Sequence, residues 1–329
     1  MMMPAESGRP ASVAEVVGRY HSFRWKGSPA GPGRFHLLCP CHGNRFVPLV
    51  ILPRDGLRSA GSIDLSGITP DRLTGLGISA IERIGVEIDG RRQPLASAFV
   101  VSGDLDDDNC IECHGEFSRV HGIGAGMRAG RIDVIGAVGH RAGAGMAGGE
   151  LVIAGNAGNW LAAGMSGGLV RVAGDAGDDA AAAFPGEVNG VTGGLIVVAG
   201  SAGRLTAARM RRGIVAIGGD CGSGAGFELR AGTIVVAGML GRHAGLGMRR
   251  GSIIAAGLFT APGPTFKAGA TWSPPFLTLL ERRLLSAGFG RAGHRASAPS
   301  ALNWSRVSWT QWHGETVSGG RGEFWVRGA

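Results

Sequence analysis

One 19-residue period limits what this chain can become. With Met127, Met146, Met165, Val191, Met210, Leu229 and Met248 as anchors, the separations are 19, 19, 26, 19, 19 and 19 residues. Glycine stands three residues after every anchor: Gly130, Gly149, Gly168, Gly194, Gly213, Gly232 and Gly251. It stands again nine residues after every anchor, from Gly136 and Gly155 through Gly257, and twelve residues after the first six, from Gly139 to Gly241. Composition alone does not produce three phase-locked columns. A fixed period of this length is the mark of a stacked repeat architecture.

Between the first two glycine columns the sequence alternates. One column reads Ile132, Leu151, Val170, Ile196, Val215, Ile234, Ile253, and two residues on another reads Val134, Ile153, Val172, Val198, Ile217, Val236, Ala255. Aliphatic residues at period two, bounded by glycine, predict a short strand with one buried face. Such a strand buries that face only with neighbours above and below it, so the expected fold is all-β: a right-handed parallel β-helix of about seven 19-residue coils. The third interval exceeds the period by seven residues around Ala183–Asn189, which predicts a loop leaving the stack. Upstream, Ile111-Glu112-Cys113-His114-Gly115 imitates Ile132-Asp133-Val134-Ile135-Gly136 and reads as an irregular first coil.

Both ends of a solenoid need covers. The expected organisation is a loosely attached extension over 1–60, a small mixed N-terminal cap over 61–109, the glycine-rich stack over 110–260, and a C-terminal helix and strand cap over 261–329. In the first cap Thr69-Pro70-Asp71 reads as a helix start and Asp89-Gly90 as a tight turn. In the second, Phe276–Leu285 follows Pro274-Pro275 as an amphipathic helix, and Trp304, Trp309, Trp312 and Trp325 are expected to pack on the last coil.

The 61 glycines among 329 residues do not indicate collagen, because no three-residue period exists. With 44% hydrophobic and 18% charged residues the chain is not a disordered one either. No apolar run approaches the roughly 20 residues a membrane span needs, and the first 20 residues lack a secretory core, so a cytoplasmic location is expected. The five cysteines do not suggest a disulfide scaffold. Of the 33 basic residues 31 are arginine, and the net charge is +8, which favours carboxylate or phosphate partners that arginine grips bidentately. Neither a nucleic acid nor a membrane is the expected partner.

Several motifs suggest chemistry without supporting it. Cys39-Pro40-Cys41-His42 matches half of a Rieske box, but no upstream Cys-x-His completes it. Cys110-Ile111-Glu112-Cys113-His114 fits a covalent haem signature, yet Cys113 falls on an inward column, where a thiol acts as a small hydrophobe. A zinc site from Cys39, Cys41, Cys110 and Cys113 would need an unusually long separation between its pairs. Gly143-Ala144-Gly145-Met146-Ala147-Gly148 satisfies G-x-G-x-x-G, but it precedes a strand, whereas the dinucleotide fingerprint opens a helix. His121, His140 and His243 fall on turns and read as solvent-facing. No catalytic set, cofactor-binding residue or metal ligand set is expected in this chain.

One surface feature points to a partner. Arg211, Arg230 and Arg249 stand one residue after successive anchors, with Arg212 and Arg250 beside two of them. Stacked in register they would lie about 5 Å apart, with a repulsion of up to roughly 1 kcal/mol per neighbour in water, and an anionic partner would bridge them. A second column reads Asn156, Asp175, Ser201, Asp220, whose side chains can hydrogen-bond turn backbone of their own or the next coil.

The repeat also carries a resemblance. Met146-x-Gly-Gly-x-Leu-Val-Ile-x-Gly-Asn-Ala-Gly-Asn, its counterpart from Met165 and Met210-Arg-Arg-Gly-Ile-Val-Ala-Ile-x-Gly-Asp resemble the C subunit of formylmethanofuran dehydrogenase and that of the bacterial formyltransferase/hydrolase complex. The likeness runs from about Ile63 to Arg327 and includes Trp312-His313-Gly314-Glu315 and Gly320-Arg321-Gly322-Glu323. The coil pattern is also similar to the C-terminal domain of glutamate synthase, and a free-standing β-helix interaction or structural protein is the alternative. The resemblance implies a non-catalytic scaffold in tetrahydromethanopterin- and methanofuran-dependent one-carbon metabolism. It implies partners of three kinds: a metal-dependent, amidohydrolase-like one, a molybdopterin-type one and a formyltransferase. The metal, the molybdopterin and the methanofuran-type carrier would sit in those partners, and the carrier's anionic tail is a candidate contact for the arginines.

Overall fold

The computed structural model describes residues 48–54, 61–105, 109–257, 259, 261–290 and 304–328. The chain divides into two units, Met1–Pro40 and Cys41–Ala329, and everything described belongs to the second. Cys39, Cys41 and most of the expected N-terminal extension lie outside the described residues.

The described part is mostly β. Its repeat region holds β6 (Cys110–His114), β8 (Arg131–Ile135), β9 (Glu150–Ile153), β10 (Leu169–Val172), β11 (Leu195–Val198), β12 (Ile214–Ile217), β13 (Thr233–Val236) and β14 (Ser252–Ala255). Each pairs with the next in parallel, and the pairs are those the columns predict: Ile132 with Leu151, Leu151 with Val170, and onward to Ile234 with Ile253. A second line of parallel bridges runs Phe117, Val138, Ala157, Ala176, Ala202, Cys221, Leu240. The anchors Met127, Met146, Met165, Val191, Met210, Leu229 and Met248 are all fully buried. The unbranched thioether fills irregular space between stacked layers, which suits this corner.

Layer-to-layer approach explains the glycines. Gly168 has φ +94°, and a Cβ there would lie 2.7 Å from the carbonyl oxygen of Gly149 in the layer before. Gly222 has an ordinary backbone, but a Cβ on it would come within 2.7 Å of the Gly203 carbonyl carbon. One column needs glycine for its dihedral and the others for clearance.

The caps extend the sheet at both ends. β1 (Leu49–Pro53) pairs in parallel with β6 and antiparallel with β5 (Phe99–Ser102), and Leu49, Val50, Ile51 and Leu52 are buried. These residues fall in the stretch expected to be a loose extension. They are a strand because β6 offers an open apolar edge that Leu49 and Ile51 fit in register with Ile111 and Cys113. The small sheet of the N-terminal cap contains β2 (Ile63–Asp64), β3 (Gly85–Ile88), β4 (Arg91–Pro94) and β7 (Val120–His121). Its helices are α1 (Pro70–Leu73), which Thr69 precedes without a side-chain cap bond, and α2 (Ile78–Glu82). Asp89 and Gly90 form the expected turn with φ 49° and 73°.

At the other end, β15 (Phe266–Trp272), β16 (Trp309–Gly314) and β17 (Gly322–Arg327) complete a 13-stranded mixed sheet. β17 lies parallel to β14, placing Phe324 on Ile253 and Val326 on Ala255, so the tail supplies one more layer to the stack. α3 (Pro275–Ser286) buries Leu277, Glu281 and Leu284, spaced for one helix face. That face joins Trp304, Trp309 and Trp325 over Leu195, Val197, Ala216, Val235 and Ile254 on the outer side of the sheet. Trp312 is only partly buried and packs against the inner core instead.

Gly168→Ala combines the strained dihedral with the carbonyl clash, and should destabilise the fold by roughly 1–3 kcal/mol. Thermal unfolding should show a drop of several degrees, whereas Gly263→Ala, where a Cβ meets no atom within 4 Å, should unfold at the unaltered temperature.

Candidate partner-docking surface

Backbone hydrogen bonds hold the arginines in file. Arg211 N–H donates to Val191 O at 2.8 Å, Arg230 to Met210 O at 2.9 Å and Arg249 to Leu229 O at 2.7 Å, each reaching back one layer. The same pattern continues with Arg321, whose N–H donates to Arg249 O at 2.6 Å. Counting back from the pairing of Ile214, Thr233, Ser252 and Glu323 sets Arg321 in register with Arg250. Arg211, Arg212, Arg249, Arg250 and Arg321 are exposed and Arg230 is half-buried. None of these six guanidinium groups makes an ion pair among the described residues. Sequence reading missed Arg321 because it arrives just ahead of β17, outside the 19-residue rhythm.

The seven-residue insertion opens at the neighbouring corner. Ala183 N–H donates to Ala208 O at 3.1 Å and Gly190 N–H to Arg209 O at 2.9 Å, so the loop leaves and returns over adjacent carbonyls. Phe184 stacks on Trp160 at 5.3 Å, and Arg209 pairs with Glu228 at 2.8 Å.

Two side-chain ladders tie the turns together. Asn156 Oδ1 accepts from Asp175 N, Asp175 Oδ1 from Ser201 N, Ser201 Oγ from Asp220 N and Asp220 Oδ1 from Met239 N, at 2.7 to 3.1 Å. The bonds run to the following layer, the second of the two options open from sequence. A parallel ladder gave no sequence signal: His121 Nδ1 accepts from His140 N, His140 Nδ1 from Asn159 N, Asn159 Oδ1 from Asp178 N and Asp178 Oδ1 from Arg204 N. His121 is half-buried rather than solvent-facing, and its ring stacks on His140 at 5.0 Å. Both imidazoles act as backbone acceptors.

On the outer side of the first strands charges replace the apolar cover. Arg131 Nε donates to both Asp133 oxygens at 2.9 Å, and its Nη1 to Glu150 at 2.9 Å; Arg171 reaches the same Glu150. Burial raises the Asp133 carboxyl above its usual range against the pull of Arg131. His114 Nε2 meets Glu112 at 2.7 Å. Cys110, Cys113 and Cys221 are buried. Burial pushes the Cys113 thiol far up and that of Cys221 to about 11, so neither presents a reactive thiolate. Among the described residues no group of three or more His, Cys, Asp and Glu is placed to hold a metal ion. No helix among them is long and apolar enough to cross a membrane.

Comparison with known proteins places this arrangement. No protein-family model matches the chain. A 77-residue stretch is 35% identical to the C subunit of molybdenum-containing formylmethanofuran dehydrogenase 1 of Methanothermobacter marburgensis; it covers 23% of this chain and 19% of that protein. The crystal structure of the formyltransferase/hydrolase complex from Methylorubrum extorquens, in complex with methylofuran, contains a similar chain. It superposes with a TM-score of 0.73 and 32% identity over 85% of this chain and 100% of that one. This chain belongs to the C-subunit family of formylmethanofuran dehydrogenases and formyltransferase/hydrolase complexes.

His121 supplies a pH test. Its Nδ1 must stay unprotonated to accept from His140, and burial, then His140 and Arg141, lower its pKa from 6.5. The folded form therefore binds fewer protons than the unfolded chain below pH 6.5. That contribution to stability is complete above pH 6.5 and is lost as pH falls through the lowered value. In melting curves from pH 7 to 5, the unaltered chain should lose more stability than His121→Asn, which keeps an acceptor at the same reach.

Proposed function

We propose that this chain is the scaffold of a formyltransferase/hydrolase-type complex, holding catalytic partner subunits in place while carrying no catalytic residue itself. Its repeats wind as a right-handed parallel β-helix of about seven coils, closed by the caps. Partners are amidohydrolase-like, molybdopterin-type and formyltransferase subunits, and the metal, molybdopterin and methanofuran-type carrier reside in them. The reaction served is the passage of one-carbon units at the formyl level between a tetrahydromethanopterin and a methanofuran-type carrier, in the cytoplasm. What carries this reading is the 32% identity over the full length of the similar chain in the Methylorubrum extorquens complex.

The arginine file is the surface for an anionic ligand in this reading. Neighbouring layers lie about 4.8 Å apart. Unscreened repulsion between guanidinium groups at that spacing is about 1 kcal/mol in water, and a chain of carboxylates reverses its sign. Arg211, Arg212, Arg230, Arg249 and Arg250, joined by Arg321, then contact the carrier's anionic tail or an acidic partner surface.

Reversing Arg211, Arg230 and Arg249 to glutamate should weaken carrier turnover by the assembled complex, or subunit docking, by roughly tenfold, equivalent to about 1.4 kcal/mol. The defect should grow with falling ionic strength. Steady-state kinetics and assembly both unchanged in the triple variant would refute a role for the file.

A further inference from the structure

β15 forms one end of the 13-stranded sheet. Its first residue, Phe266, is buried, but Lys267 through Trp272 are exposed. Among the described residues only β16 pairs with it, and no described strand lies along its other edge. Exposed edges are usually short, charged or covered, because a row of unpaired N–H and C=O groups templates a further strand. β15 is seven residues long with a single charge, and its register shifts between Ala268 and Thr271.

An apolar patch adjoins this edge. Trp272 is 46% exposed, Phe276 39% and Leu279 64%. The rings of Trp272 and Phe276 meet Trp325 edge-on at 5.9 and 5.3 Å, which fixes the patch rather than leaving it to fold away.

The charge on this cap has one sign. Lys267, Arg282, Arg283, Arg306, Arg321 and Arg327 are all exposed. The three carboxylates of residues 261–329 are instead engaged internally. Glu281 accepts from Trp304 N–H at 3.3 Å, and Glu315 from Ser318 N–H at 2.9 Å. Glu323 accepts from Gln311 Nε2 at 3.2 Å and Trp325 Nε1 at 3.3 Å. A second copy of this chain would bring the same positive face and be repelled. An acidic chain would be drawn in.

We propose that β15 receives an extended acidic segment from one of the other proteins of the complex, which adds a strand to the free edge. Main-chain hydrogen bonds along β15 supply the pairing. Apolar side chains on one face of the segment cover Trp272, Phe276 and Leu279, and its carboxylates meet Lys267, Arg282 and Arg283. The inference rests on the scaffold role proposed for the chain and names one of the surfaces by which that role is carried out.

Hydrogen–deuterium exchange with mass spectrometry tests it, comparing the full-length chain alone with the chain assembled with co-expressed partner subunits. Segment 266–272 should exchange at least about tenfold more slowly in the assembly. Lys267→Glu, Arg282→Glu and Arg283→Glu together should weaken that assembly about tenfold in a salt-dependent way. An intact assembly in which 266–272 exchanges as fast as in the free chain overturns the strand addition and leaves the scaffold role standing. Failure to assemble overturns both. Protection accompanied by a homodimeric mass in the free chain would show that a second copy, not an acidic partner, takes the edge.

Discussion

Everything in this structure depends on one contact, the close approach of each layer's backbone to the layer before it. N–H groups such as those of Gly155, Gly174 and Gly200 donate to the carbonyls of Gly136, Gly155 and Gly174 at 2.9 to 3.1 Å. At that distance there is no room for a Cβ at the bends, and glycine fills the columns. The close stacking also lets a short side chain reach the next layer, which makes the two acceptor ladders geometrically available. It aligns identical positions, so arginine above arginine becomes a file of charge. Core, turns and surface share one spacing.

The residues that were legible in the sequence are those whose chemistry repeats with the period. The aliphatic columns and the three glycine columns mark inward positions and bends by residue type, and the pairing of Ile132 with Leu151 or Ile234 with Ile253 follows from them. The ladder of His121, His140, Asn159 and Asp178 was not legible because its first two members are histidines, which do not mark a turn acceptor as Asn, Asp and Ser do. What they share is an acceptor atom at the δ position, two bonds beyond Cβ. β1 and β17 were hidden for another reason. Each joins the stack through tertiary contact, with Ile51 beside Cys113 and Phe324 beside Ile253. β1 carries no glycine column, and Gly322 of β17 and Gly328 just after it, though in register with Gly251 and Gly257, stand outside the 19-residue period. Arg321 came with β17 and was missed with it.

The division of the outer sheet surface explains how such a body can be both stable and open to partners. Over β11 to β14 most outward residues are apolar, and α3 with Trp304, Trp309 and Trp325 covers Leu195, Val197, Ala216, Val235 and Ile254. Over β6 to β10 the outward residues include Glu112, Asp133, Arg131, Glu150 and Arg171, the last four joined by ion pairs within β8, from β8 to β9 and from β9 to β10. Charges held in this way keep the surface from collapsing onto other sheets. The Cys113 and Cys221 thiols are buried and raised in pKa, and His121 and His140 are engaged by backbone. Polar groups of this chain serve layer stacking first, and the arginine file stands apart from that use.

The scaffold role proposed for this chain is to hold other subunits together. Native mass spectrometry of the chain purified with co-expressed amidohydrolase-like and formyltransferase subunits addresses it directly. One stable species containing all of them in fixed stoichiometry is the expected result, and it falls apart when this chain is omitted. A chain that appears only by itself, with the partner subunits assembling equally well without it, would contradict the account.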